Sequence, residues 1–125
     1  SEGKDELDQS KSKLLAKRIS DGFLTQQAQA ELIKNHKATC KYPIIICGDM
    51  NNSAYSSVYR SIRGQLNDCF EEAGIGFGKT YNFKFYPARI DYIFVDKTIK
   101  TKSFNSFSDF IHSDHMPVLS RLEME

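Results

Sequence analysis

Five polar side chains stand in three short segments where their types and spacing could do chemistry. They are Asp49 and Asn51 in Gly48-Asp49-Met50-Asn51, Asp91 in Arg89-Ile90-Asp91-Tyr92, and Asp114 with His115 in Ser113-Asp114-His115-Met116-Pro117. Two residues apart in a turn, Asp49 and Asn51 can converge on one small volume. An ionised carboxylate can activate or orient water, and an amide can donate to a developing anion. The plain alternative is an Asx-turn, since both residues are common turn formers. Asp91 sits among apolar neighbours in a strand-like run, where a carboxylate is uncommon. Period two puts Arg89 on its face, so an Arg89–Asp91 pair is the structural alternative. Adjacent Asp114 and His115 could supply a metal ligand and a proton-handling group together, or form an ordinary loop before Pro117.

A protein nucleophile is disfavoured. No Gly-x-Ser-x-Gly elbow occurs, and Cys47 ends the apolar run Ile44-Ile45-Ile46-Cys47, where it reads as a small buried hydrophobe. Water is the nucleophile that remains. The glycines of Gly74-Ile75-Gly76-Phe77-Gly78 lack the strand-then-helix setting of a dinucleotide site and mark a loop. Arg60, Arg63 and Lys79 could contact phosphates but read as solvated, as does His112. His36 suits the solvent-facing C-terminal end of a helix.

The elements that must position these groups follow from periodicity. Residues 4–12 are charged without an apolar period and are expected to be flexible, with 1–12 as a tail. From Lys13 the residues Leu15, Ile19, Phe23, Ala30 and Ile33 recur on one helical face. Gly22 weakens that helix by about 1 kcal/mol relative to Ala and could bend it. Pro43 requires an end near His36. Ile44 to Cys47 reads as a strand covered on both faces, and Ser53 as the N-cap of a helix over 54–63 with the stripe Val58, Tyr59 and Ile62. Gly64 closes it. A short helix or turn over 68–73 ends at Gly74. Thr80 to Phe85 alternates loosely, 88–95 is a strand, 99–107 a weaker one, and 118–122 the last. Late strands without intervening helices point to an α/β (α+β) fold with a mixed, largely antiparallel sheet.

Composition sets the outer limits. The 125 residues, 40% of them apolar, make a single domain over 1–125 with an ordinary core. Seventeen basic against sixteen acidic residues leave a charge of +1, which does not favour nucleic acid as a partner held by a broad electrostatic grip. Three cysteines without CxxC spacing argue against a zinc site or a disulfide framework. No apolar run approaches the roughly 20 residues of a membrane span, so the chain as given reads as soluble. It starts without Met in polar sequence and reads as a piece of a longer chain.

Taken together and in this order, the three segments resemble the endonuclease/exonuclease/phosphatase superfamily, whose C-terminal half carries Gly-Asp-x-Asn, Arg-hydrophobic-Asp-Tyr and Ser-Asp-His-x-Pro. The match runs over roughly residues 29–122. The charged stretch before the helix and Gly76-Phe77-Gly78-Lys79-Thr80-Tyr81 are similar to a Bacteroidetes-type branch. The resemblance implies the C-terminal half of a four-layer α/β/β/α sandwich and a metal-dependent hydrolase of phosphoester bonds. It implies that Asp49 orients or deprotonates water and that Asn51 binds the scissile phosphate. His115 acts on the phosphoryl group with Asp91 on its second ring nitrogen, and Asp114, with Asp49 beside it, holds Mg²⁺ or Mn²⁺. The family's other metal ligands lie in an N-terminal half that cannot be found here. The implied partners are therefore a phosphoester substrate of unspecified type and either the missing half or a second copy on an exposed sheet face. The chain alone is expected to be inactive. A non-catalytic binding or assembly module is the alternative. For the full-length protein the resemblance leaves a cytoplasmic and a membrane-anchored location both open.

Overall fold

The computed structural model describes residues 2–84 and 86–125; Ser1 and Phe85, the end of the alternating stretch from Thr80, lie outside them. The first helix, α1 (Glu2–Thr39), is a single run of 38 residues. It starts well before Lys13, so the stretch expected to be flexible carries helical backbone, and every side chain there is exposed. Burial contributes nothing to that part, which continues the backbone hydrogen-bond ladder of the later turns. Gly22 lies inside the helix without ending it. The expected apolar face divides. Ala30 is buried and Ile33 packs on the core, whereas Leu15, Ile19 and Phe23 are exposed. Gln27, Ala30 and Glu31 in the later turns of α1 lie beside Ser57, Val58 and Ser61 of α2.

β1 (Ile45–Asp49), β2 (Asn67–Asp68) and β3 (Asp91–Val95) form one antiparallel sheet in the order β1-β3-β2, and β4 (Ile99–Ser106) pairs antiparallel with β5 (Val118–Met124) in another. The fold is thus α/β with antiparallel sheets. Period two on β3 holds as expected. Tyr92 and Phe94 face a core with Ala30, Met50, Val58, Tyr59, Ile62 and Leu66, while Ile93 and Val95 face a second core with Cys69, Ile99 and Phe104. Tyr59 packs edge-on against both Tyr92 and Phe94, with centroids 5.0 and 5.3 Å away, a geometry aromatic pairs prefer.

The reading of Ile44–Cys47 as covered on both faces is corrected. β1 is the edge of its sheet; Ile44 and Ile46 pack on the core, but Ile45 and Cys47 are exposed. A run of apolar residues records that a strand has two apolar faces, not what covers them. Backbone bonds from Asp96 N to Ile44 O and from Met50 N to Ile90 O fix the even residues of β1 as those bonded to β3. The N–H and C=O groups of Ile45 and Cys47 therefore point to an open edge. A groove of about 630 Å³ lies alongside, lined by Leu32, Ile33, His36, Lys37 and residues 43–47 among others.

α2 spans Ser57–Arg63 and is capped by Ser56, whose side chain accepts from Tyr59 N, rather than by Ser53. Ser53 instead accepts from Ser56 N through its carbonyl, in a turn that precedes the helix. Gly64, at φ 52, ends α2 as expected, and the Lys37 ammonium donates to the last carbonyls, Ile62 O and Arg63 O. α3 (Cys69–Ala73) is capped by Asp68 and ends at Gly74.

Candidate active site

Asp49 closes β1, Asp91 opens β3, and the two are direct cross-strand partners. The register that pairs Ile45 with Val95 thus also brings two carboxylates side by side, an arrangement that is repulsive by itself. The imidazole of His115 lies between them. Its Nδ1 is 2.9 Å from Asp91 Oδ2 and its Nε2 is 3.6 Å from Asp49 Oδ2. With Asp91 ionised, Nδ1 carries the proton and donates, leaving Nε2 towards Asp49. The hydrogen bond to Asp91 raises the His115 pKa above 6.5 against a lowering from burial, and the charges of Asp91, Asp49 and Asp114 add to the rise. Ligand atoms of Asp49, Asp91 and His115 all lie within 4.8 Å of one another.

Asn51 sits in the turn after Asp49. Its backbone N–H donates to Asp49 Oδ1 at 2.8 Å, and its φ of 48 is left-handed, a conformation Asn tolerates better than most residues. The Asx-turn offered as the plain alternative is therefore formed, and it fixes the Asp49 carboxylate that faces His115. Asp114, the remaining sequence candidate, is exposed and outside the group of three. Its carboxylate raises the pKa of the Tyr81 hydroxyl, and its carbonyl accepts from Asn82 N. The Tyr81 ring meets the His115 ring edge-on, with centroids 5.0 Å apart.

The alternative Arg89–Asp91 pair is not made. Arg89 pairs with Asp68 at 2.7 Å, and its guanidinium lies over the rings of Phe70 and Tyr92. Asp68 also accepts from the Tyr59 hydroxyl at 2.7 Å and from Phe70 N. Burial, with the Asp68 bond second, pushes the Tyr59 pKa up to about 12. Gly78, at φ 68, lets the loop pass close over this group, since a Cβ there would come within 2.6 Å of the Phe70 ring. Arg63, read as solvated, donates to Tyr59 Oη and Leu66 O and pairs with Glu71. Arg60 donates to Tyr55 O and Lys79 to Asn82. The His112 ring lies edge-on to Phe110, and His36 is exposed as expected.

The ground for setting Cys47 aside as a nucleophile, burial within its strand, is corrected. The residue is exposed, and partial burial of its thiol raises the pKa, with the neighbouring Cys69 adding to the rise. Sequence reading placed Tyr59 on the buried stripe of α2 but not its hydroxyl bond to Asp68, and it singled out neither Asp68 nor Thr80 nor Tyr81 as a site residue. Asp68 left no local pattern, while Thr80 and Tyr81 follow the glycine loop directly.

The model of the Endonuclease/Exonuclease/phosphatase family matches residues 19–115. Among solved structures, the chain is similar to an endonuclease/exonuclease/phosphatase from Bacteroides vulgatus, with 27% identity, a TM-score of 0.67, and 80% of this chain and 44% of that chain covered. It is similar to an endonuclease/exonuclease/phosphatase family protein from Bacteroides thetaiotaomicron at 26% identity and TM-score 0.59, covering 82% of this chain and 42% of that one. A mannosyl-6-phosphatase from Bacteroides thetaiotaomicron matches at 25% identity and TM-score 0.54, covering 82% of this chain and 44% of that one. The chain thus spans less than half the length of these structures. No curated protein matches it in sequence. Among the described residues, no helix is long and apolar enough to cross a membrane.

Proposed function

The chain belongs to the Endonuclease/Exonuclease/phosphatase family, and from that membership we propose that it supplies part of the active site of a metal-dependent phosphoester hydrolase in which water is the nucleophile. The observation that carries the proposal is the convergence of Asp49, Asp91 and His115 within 4.8 Å. Asp91 holds Nδ1 of His115, and the imidazole at Nε2 handles a proton or contacts a phosphoryl oxygen. Asp49, fixed by the amide of Asn51, orients the attacking water. The Asn51 side chain donates to a non-bridging phosphoryl oxygen, where charge is carried while water attacks in line with the leaving oxygen.

The donor set fits a hard divalent ion. Asp49 and Asp114 offer exposed carboxylate oxygens, which suit Mg²⁺ or Mn²⁺ better than zinc. Asp91 is engaged by Nδ1 of His115, which leaves Asp49, inside the converging group, and Asp114, outside it, as the carboxylates that would hold the ion. An ion bound there supplies positive charge to the phosphoryl oxygens. Mg²⁺ commonly keeps waters beside one or two carboxylates. The reading in which further polypeptide completes the site is supported instead by the longer structures the chain resembles, of which it covers 44% and 42%. That polypeptide, the counterpart of what the longer related structures carry or a second copy, would cover the open edge of β1 with Ile45 and Cys47. The mannosyl-6-phosphatase among the structural relatives makes a phosphate monoester of a small carbohydrate the first substrate to test.

A non-catalytic binding or assembly module is the second reading, favoured by the exposed Ile45 and Cys47 on the edge strand β1. One experiment separates the two. The chain is assayed alone and with the complementary segment of a longer relative, on sugar phosphates and a generic phosphodiester, with Mg²⁺ or Mn²⁺. Turnover that needs both pieces and the metal, and is lost in Asp49→Ala, supports hydrolysis. A folded two-piece complex without turnover on any substrate supports the module.

A further inference from the structure

The Asp91–His115 bond joins two parts of the molecule that share no strand ladder. Asp91 belongs to the β1-β3-β2 sheet, and His115 lies just before β5 of the other. Among the described residues, the backbone hydrogen bonds that tie Asp114–Met116 to other segments go to Thr80 and Asn82: Met116 N donates to Thr80 O at 2.7 Å and Asn82 N to Asp114 O at 2.8 Å. Thr80 is fully buried, and its hydroxyl oxygen accepts from the backbone N–H of both Ile90 and Asp91, at 3.0 and 3.1 Å. Its own N–H donates to Ala88 O.

We propose that Thr80 is a positioning residue: its side chain fixes the start of β3 at Asp91, its carbonyl fixes Met116, and the two together set the distance at which Asp91 receives Nδ1–H of His115. The physical reason is that a buried N–H needs an acceptor. Two consecutive amides at a strand start leave few geometries when one oxygen serves both. Removing that oxygen leaves them unpaired beside the carboxylate, and the start of β3 shifts to find other partners. Catalytic groups tolerate little such movement, since displacement of about 1 Å can cost on the order of 100-fold in rate. The inference rests on the hydrolytic reading for its functional meaning, and its test does not use turnover.

The 125-residue chain is made as wild type, Thr80→Val, Thr80→Ser and Ile62→Val, and the His115 Nδ1–H proton resonance is followed by NMR in chelator at one fixed pH. Thr80→Val deletes the acceptor at nearly constant volume, Thr80→Ser keeps it, and Ile62→Val loosens the core against α2 without touching the brace. The expected result is a resonance present in wild type, Thr80→Ser and Ile62→Val, and lost or broadened in Thr80→Val. An unchanged resonance in folded Thr80→Val overturns the proposal, as does its equal loss in Ile62→Val. If Thr80→Val does not fold, Thr80→Cys, with only a weak acceptor, takes its place under the same criteria. A wild-type resonance without turnover in the two-piece assay would count against hydrolysis and leave the positioning intact.

Discussion

His115 Nδ1 lies 2.9 Å from Asp91 Oδ2, and this hydrogen bond stabilises the protonated imidazole between two carboxylates that the strand register forces together. Because the folded-state pKa is raised above 6.5, the stabilisation it contributes is full below about pH 6.5. It is lost as pH rises through the raised value. In metal-free protein, Asp91→Asn is expected to move the His115 titration towards lower pH and to flatten this part of the pH–stability curve. Imidazole NMR titration of both proteins checks it, and an unmoved midpoint would refute the assignment of the shift to Asp91.

Arg89→Met is expected to destabilise the chain by about 3–5 kcal/mol, because it leaves the Asp68 carboxylate, 1% exposed, without its cation. Lys102→Ala removes a pair whose partners are about half exposed and should lower stability by less than about 1 kcal/mol. Urea unfolding of the two variants gives the comparison. Similar losses would mean that the Tyr59 and Phe70 bonds, rather than Arg89, carry the stabilisation of Asp68.

Ile45→Lys is expected to reduce self-association of the isolated chain. The wild type presents an unpaired strand edge beside exposed Ile45 and Cys47, and a charged side chain on such an edge opposes pairing. Sedimentation velocity across a concentration series reads the outcome. A wild type that stays monomeric throughout would remove the second-copy reading of this surface.

In the completed two-piece protein, His115→Ala is expected to lower turnover about 10²–10⁴-fold, the usual range for a positioned proton-transfer group. Asp114→Ala should instead raise the Mg²⁺ or Mn²⁺ concentration needed for half-maximal rate. Steady-state rates against metal concentration separate the two effects. A His115→Ala variant with wild-type rates would eliminate the imidazole from the reaction.

Much of this arrangement was legible in the chain. Period two sorted β3 into its two faces, and Gly64 and Gly74 marked helix ends, because backbone geometry and burial leave short-range patterns. The meeting of Asp49, Asp91 and His115 followed from the family resemblance rather than from any single segment. What could not be read depends on distant neighbours. Cys47 looks buried from its flanking isoleucines, yet exposure depends on the strand order. Arg89 lies two residues from Asp91, yet it pairs with buried Asp68 on β2 and lies over the rings of Phe70 and Tyr92. The length of α1 was missed because its first turns bury nothing that a pattern could register.

On the hydrolytic reading, in which the Asn51 side-chain amide binds phosphate, the left-handed backbone there separates two demands on one position. Glycine or aspartate could occupy that conformation at modest cost and keep the turn that aims Asp49, but neither carries an amide donor. Glutamine would keep the amide and strain the backbone. A library randomised at this codon and sorted first for folding, then for turnover, would pass a small group through the first sieve and asparagine alone through the second.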